Sequence, residues 1–104
     1  MSFMEISNTN NLYTVFTKKN CSYCDKIKVL MIESGEMVKF VECDVLLNRN
    51  KILFLNLMKT KIQKDNITFP IVFYEGNYVG GCDDYVRELE RRKLCEMTDL
   101  SFSD

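Results

Sequence analysis

Apolar residues along the chain alternate between short dense runs and longer spaced repeats. Leu12-Tyr13-Thr14-Val15-Phe16-Thr17 is rich in β-branched and aromatic residues and predicts a buried strand, broken by Lys18-Lys19-Asn20. From Cys21 to about Ser34 the positions Cys24, Ile27, Leu30 and Met31 recur at helical spacing, and Gly35 is placed to stop the helix. Met37 to Cys43 predicts a second strand, with Val38, Phe40 and Val41 as its apolar content. Asp44 to Asn50 reads as a polar-flanked connection, after which Phe54, Leu57, Met58 and Ile62 mark one face of a second helix. Beyond a turn at Lys64-Asp65-Asn66, a third strand is expected at Ile71-Val72-Phe73-Tyr74. Glu75-Gly76-Asn77 then makes a tight hairpin to a short fourth strand at Tyr78-Val79. Gly80-Gly81 leads into a last helix with Cys82, Tyr85, Val86 and Leu89 on one face. Asp83 and Asp84 stand in its first turn and Arg91-Arg92-Lys93 near its expected end, an arrangement that suits the helix dipole.

The order strand, helix, strand, helix, strand, strand, helix predicts an α/β domain. Early alternation implies a parallel crossover pair, and the late hairpin adds antiparallel strands, giving a four-stranded mixed sheet flanked by about three helices. A single domain over residues 1–104 is expected, with a loose lead-in at 1–11 and a tail at 95–104 that extends the helix before fraying.

Composition narrows the chemistry. The 104 residues carry 14 basic and 15 acidic side chains, a net charge of -1 that argues against a general binder of nucleic acid or membrane surfaces. No apolar stretch approaches the roughly 20 residues a bilayer span needs. The first residues show no basic region followed by an apolar core, so no secretory signal is read. Histidine is absent, which excludes Ser-His and Cys-His pairs and histidine-ligated metals. The wealth of Asn, Lys, Ile and Phe points to an AT-rich gene, such as one of a large DNA virus or a parasite. Five cysteines, an odd number, do not look like the staples of a secreted mini-protein. A reducing compartment, the cytoplasm, is expected, and there a close cysteine pair suggests catalysis or metal.

Cys21-Ser22-Tyr23-Cys24 is that pair, following a strand and opening a helix. Unpaired amides and the dipole of the helix start favour a thiolate, and Lys18 and Lys19 add positive charge, so a thiol there falls below the usual pKa of about 8.5. Cys21 is read as the exposed nucleophile and Cys24, one turn inside, as the resolving thiol. The bland reading of a lone CxxC is half of a zinc site, but no second CxxC and no histidine complete one, and no metal is expected. Thr68-Phe69-Pro70 holds the only proline, at a strand start. An ordinary strand-entry proline fits as well as a functional one, whereas a cis peptide would turn the Phe69 backbone outward toward an extended ligand. Gly80-Gly81-Cys82-Asp83-Asp84 lets the backbone approach a ligand and offers first-turn amides to a carboxylate; alone it would pass for a capped turn. Cys43 reads as a buried small hydrophobe, Cys82 as a packing residue beside the site, and Cys95 as a surface thiol.

Together these three stretches resemble the glutaredoxin family over roughly Leu12 to Leu94. The resemblance implies a thioredoxin-like fold and a dithiol type with serine in place of the usual proline. It also implies a glutathione site. Lys18 matches the basic residue that meets a glutathione carboxylate, Phe69 and Pro70 the backbone that pairs with its cysteinyl part. Gly81, Cys82 and Asp83 match the hold on the γ-glutamyl end, and Tyr23 flanks the sulfur. Such a set answers the two carboxylates and one ammonium of glutathione. The Thr-Gly that many members carry before the proline segment is replaced by a longer polar stretch, residues 59–66, and Phe69 is bulkier than the usual valine.

The function implied is glutathione-dependent reduction of protein disulfides and glutathione mixed disulfides through Cys21 and Cys24, by a monomer, with ribonucleotide reductase as a protein partner by analogy. The alternative is a carrier of a [2Fe-2S] cluster held between two chains by Cys21 and glutathione, which Ser22 in place of a stiff proline permits. A thioredoxin-like module served by a flavoprotein reductase is a third class, against which Lys18 and the Gly81-Cys82-Asp83 segment speak.

Overall fold

The computed structural model describes residues 10–101, with side chains through residue 94. Elements follow in the order β1 (Leu12–Thr17), α1 (Ser22–Glu33), β2 (Met37–Glu42), α2 (Asp44–Ile62), β3 (Ile71–Tyr74), β4 (Asn77–Gly80) and α3 (Cys82–Ser101). One sheet has the strand order β2-β1-β3-β4. β1 pairs parallel to β2, while β3 is antiparallel to both β1 and β4. A thioredoxin-like mixed sheet with three helices results, in the element order that the hydrophobic pattern predicts.

Alternation along the strands divides the apolar residues between two cores, since successive side chains point to opposite faces. Phe16, Ile71 and Phe73 join Phe54, Met58 and Ile62 of α2 on one side. Tyr13, Val15 and Val72 join Ile27 and Met31 of α1 and Cys82 and Tyr85 of α3 on the other. The central strand β1, covered on both faces, is buried from Tyr13 to Thr17.

Local chemistry sets the ends. α1 stops in a Schellman motif: Gly35 takes φ 69°, its N–H donates to Ile32, and the Glu36 N–H donates to Met31 at 3.0 Å. The hairpin turns on Glu75 and Gly76, both at positive φ, with Tyr74 opposite Asn77.

Several expectations need correction. Residues 44–50, read as a connection, are helical. α2 begins at Asp44 and breaks only at Asn50, whose φ of -155° interrupts it. The Asn50 side chain accepts the Leu53 N–H at 3.3 Å and so caps the second segment. Leu46 and Leu47 pack on the core, which is what makes a helix of this polar run. Leu57 lies 39% exposed, and Leu55 is the residue that packs inward. Arg91, Arg92 and Lys93 are not at a helix end, because α3 continues through Ser101. Residues 95–101 extend that helix, as expected of the tail, while the Cys95 side chain and the lead-in at 1–9 lie outside the described residues. Arg92 instead reaches Glu36 at 2.7 Å, and the Tyr85 hydroxyl donates to the same carboxylate at 2.8 Å, tying α3 to the α1–β2 turn. Among the described residues no helix is long and apolar enough to cross a membrane.

Candidate active site

β1 ends at Thr17, and the exposed loop Lys18-Lys19-Asn20 turns the chain into α1. Asn20 adopts φ 55°, and the Lys19 N–H donates to Asp44 at 3.0 Å, which anchors the loop to the start of α2. Cys21 is the residue that caps α1. Its extended backbone swings the sulfur over the first turn, where Sγ accepts the Cys24 N–H at 3.2 Å. A helix N-terminus presents unpaired amides, and negative charge placed over them is stabilised. Cys21 and Cys24 form a disulfide with Cα atoms 5.2 Å apart. Cys21 is half-buried while Cys24 is 1% exposed, so an incoming sulfur meets Cys21 first.

The segment before β3 closes the other side. The Phe69–Pro70 peptide is cis, and Cys21 Sγ lies 3.7 Å from the Phe69 carbonyl oxygen. A groove of about 470 Å³ runs from here to the start of α3, lined by Tyr23, Phe69, Pro70, Gly81, Cys82 and Asp83. At its α3 end the Gly81 N–H donates to Asp84 Oδ2 at 2.8 Å, the returning arm of a capping box, and Asp84 also pairs with Arg87. Asp84 is thus occupied, and the exposed Asp83 is the acid that faces outward beside the first-turn amides.

Lys18 stands apart from that groove. Its Nζ lies over the Phe69 ring, 5.4 Å from the centroid, in a neighbouring cleft shared with Lys19, Asp25 and Lys28. Phe69 itself stacks on Phe54 with centroids 6.3 Å apart, so the bulk that replaces valine is anchored in the core on one side and carries the lysine on the other. Lys64, Asn66 and Tyr78 also line the groove and were not anticipated. Lys64 Nζ sits 5.3 Å from the Tyr78 ring centroid. The polar stretch at residues 59–66 was the only sequence signal for the first two. Tyr78 arrives from β4 through tertiary folding alone.

A family model described as glutaredoxin matches residues 13–79. The chain belongs to the glutaredoxin family. Glutaredoxin-C1 of Arabidopsis thaliana is 32% identical over 80 residues, 77% of this chain but 61% of that relative's length, so the chain spans less than two thirds of it. The holo form of glutaredoxin C1 from Populus tremula x tremuloides superposes with a TM-score of 0.66 at 31% identity, covering 81% of this chain and 79% of that one. A buckwheat glutaredoxin solved as a glutathione complex superposes with a TM-score of 0.64 at 27% identity, covering 86% of this chain and 77% of that one.

Within this glutaredoxin the remaining described thiols differ sharply from Cys21. Cys43 is fully buried and donates toward the Val41 carbonyl at 3.6 Å; burial, aided by the charge of Asp44, pushes its pKa up to about 12. Cys82 is 4% exposed, and burial raises its pKa too, with Lys26 opposing and Asp83 reinforcing the shift. Both are held as thiols, as a packing role requires.

Proposed function

We propose that this chain is a glutathione-dependent thiol–disulfide oxidoreductase acting on protein disulfides and glutathione mixed disulfides. The observation that carries the reading is the Cys21 sulfur: it caps α1 over the Cys24 amide, bonds Cys24, and lies 3.7 Å from the carbonyl of Phe69, a residue that lines the groove running to the start of α3. In the reduced chain the Cys21 thiolate attacks one sulfur of the substrate disulfide, forms a mixed disulfide, and releases the other sulfur as a thiolate. Cys24 then gives up its proton and attacks Cys21, which frees the second substrate thiol and leaves the Cys21–Cys24 bond. Two glutathione thiols reduce that bond and depart as glutathione disulfide. For a glutathione mixed disulfide, a second glutathione resolves Cys21 directly and Cys24 is not needed.

In this reading Phe69 and Pro70 present backbone to the cysteinyl part of glutathione, and Gly81, Cys82 and Asp83 hold the γ-glutamyl end. Tyr23 flanks the sulfur, and Lys18 lifts off the Phe69 ring to meet the glycyl carboxylate. The buckwheat glutaredoxin–glutathione complex, similar in fold, supports glutathione as the partner. The odd cysteine count supports a reducing compartment, the cytoplasm, and by family analogy ribonucleotide reductase is one candidate substrate.

The test uses a small glutathione mixed disulfide and an intramolecular protein disulfide. Cys21→Ser is expected at background on both, and Cys24→Ser active on the first only. Turnover by Cys21→Ser above background would overturn the assignment. A coloured protein after anaerobic reconstitution with iron, sulfide and glutathione would instead favour the cluster-carrying alternative.

A further inference from the structure

Five of the chain's 14 cations stand on α2 and its exit. Between Asp44 and Asp65 stand Arg49, Lys51, Lys59, Lys61 and Lys64 with no acid among them, in a chain of net charge -1. All five are exposed. The same helix leaves large aliphatic side chains in solvent: Ile52 is 74% exposed, Leu53 42% and Leu57 39%. They do not belong to the core, which α2 serves with Phe54, Met58 and Ile62 from its inner side. At about 100° per residue, Ile52, Leu53 and Leu57 share one outward sector with the exposed, uncharged Asn56 and Thr60, with Lys59 on one border and Lys61 on the other. An uncharged face that exposes three large aliphatic side chains and is rimmed by charge of one sign has the anatomy of an interface.

Both ends of α2 adjoin the thiol site. Asp44 receives the Lys19 N–H two residues before Cys21, and Lys64 lines the groove beside Phe69. A protein that presents a sulfur to Cys21 therefore has α2 within reach. We propose that the outward face of α2 docks protein substrates whose disulfide is flanked by an acidic, apolar segment; the identification of the partner as a substrate rests on the oxidoreductase reading above. The lysine rim supplies orientation and encounter rate, and the aliphatic strip supplies the buried contact. Three aliphatic side chains without an aromatic on a helix packed against its own sheet suit a protein ridge better than insertion between lipids.

The experiment titrates the chain with a fluorescent, cysteine-free peptide carrying Glu and Leu at helical spacing, and with a twin in which Lys replaces each Glu. The acidic peptide is expected to bind about tenfold tighter, with the gap closing as salt rises. Lys59→Glu with Lys61→Glu should invert the preference, and Ile52→Ser with Leu53→Ser should weaken both peptides, while turnover of a small glutathione mixed disulfide stays unchanged. Equal affinities for the two peptides, or a preference that survives the charge reversal, overturn the docking surface and leave the oxidoreductase reading intact. Binding to phosphatidylglycerol vesicles that the charge reversal abolishes, without any peptide preference, overturns it in favour of a membrane. Absence of turnover on the small disulfide by the unmodified chain overturns the oxidoreductase reading instead, and with it the identity of the partner as a substrate.

Discussion

Cys21 and Cys43 occupy the same position, each the residue just before the first turn of a helix, yet they behave as different chemical groups. Cys21 has an extended backbone that turns Sγ over the α1 amides and leaves it half exposed. Cys43 sits at φ -101° and ψ 4°, makes no side-chain cap, and points its sulfur into the core toward Val41. Cys82, the first residue of α3, is likewise turned inward. A helix dipole is thus available to all three and used by one. The lesson is that a helix N-terminus activates a thiol only where the cap's backbone angles aim the sulfur at the amides and burial does not outweigh them.

The largest expected effect is in alkylation of the reduced chain near neutral pH. Cys21 should titrate below the free-cysteine value of about 8.5 and react at least about tenfold faster than Cys43 or Cys82, which should be modified only on unfolding. Mass spectrometry of quenched samples checks this, and a Cys21 that titrates like an unstructured peptide would break the comparison.

Next comes alkaline stability. The unfolded chain releases the Cys43 proton from about pH 8.5 upward, whereas the folded chain keeps it until about 12, so this site's stability is present at neutral pH and lost as pH rises through that window. Denaturant titrations should show that Cys43→Val removes about 2 kcal/mol of the loss otherwise seen between neutrality and pH 10.

Smaller effects test how the other helix starts are held. Asp84→Ala frees the Gly81 amide and should lower stability by about 1 kcal/mol, with little change in Cys21 reactivity. Asn50→Ala, which removes an exposed cap inside α2, should cost about 0.5 kcal/mol by the same measurement.

What could be read from the sequence follows the range of the forces involved. β1, α1 and the hairpin were legible because their signals are local: a dense β-branched run, a 3.6-residue repeat closed by Gly35, and Glu75-Gly76 at a turn. The Cys21–Cys24 pair was legible for the same reason, since one helical turn brings the two together. The first segment of α2 was hidden because its stability comes from Leu46 and Leu47 packing on a core that the sequence does not display, while Asn48 and Asn50 argue locally for a loop. Lys64 and Tyr78 were hidden because they are 14 residues apart and meet only across the groove. The resting place of Lys18 depends equally on Phe69, half the chain away.

Gly80 is closed to substitution twice over: its φ of 138° disfavours any side chain, and a methyl group there would run into the Asp84 carboxylate. The order of permissible change is therefore fixed. A lineage, or an engineer, can abandon the acid at 84 and survive with a weaker helix, but removing it does not release the glycine. The hairpin tip around Asn77, exposed and remote from the thiols, is where an inserted tag or reporter has room to sit.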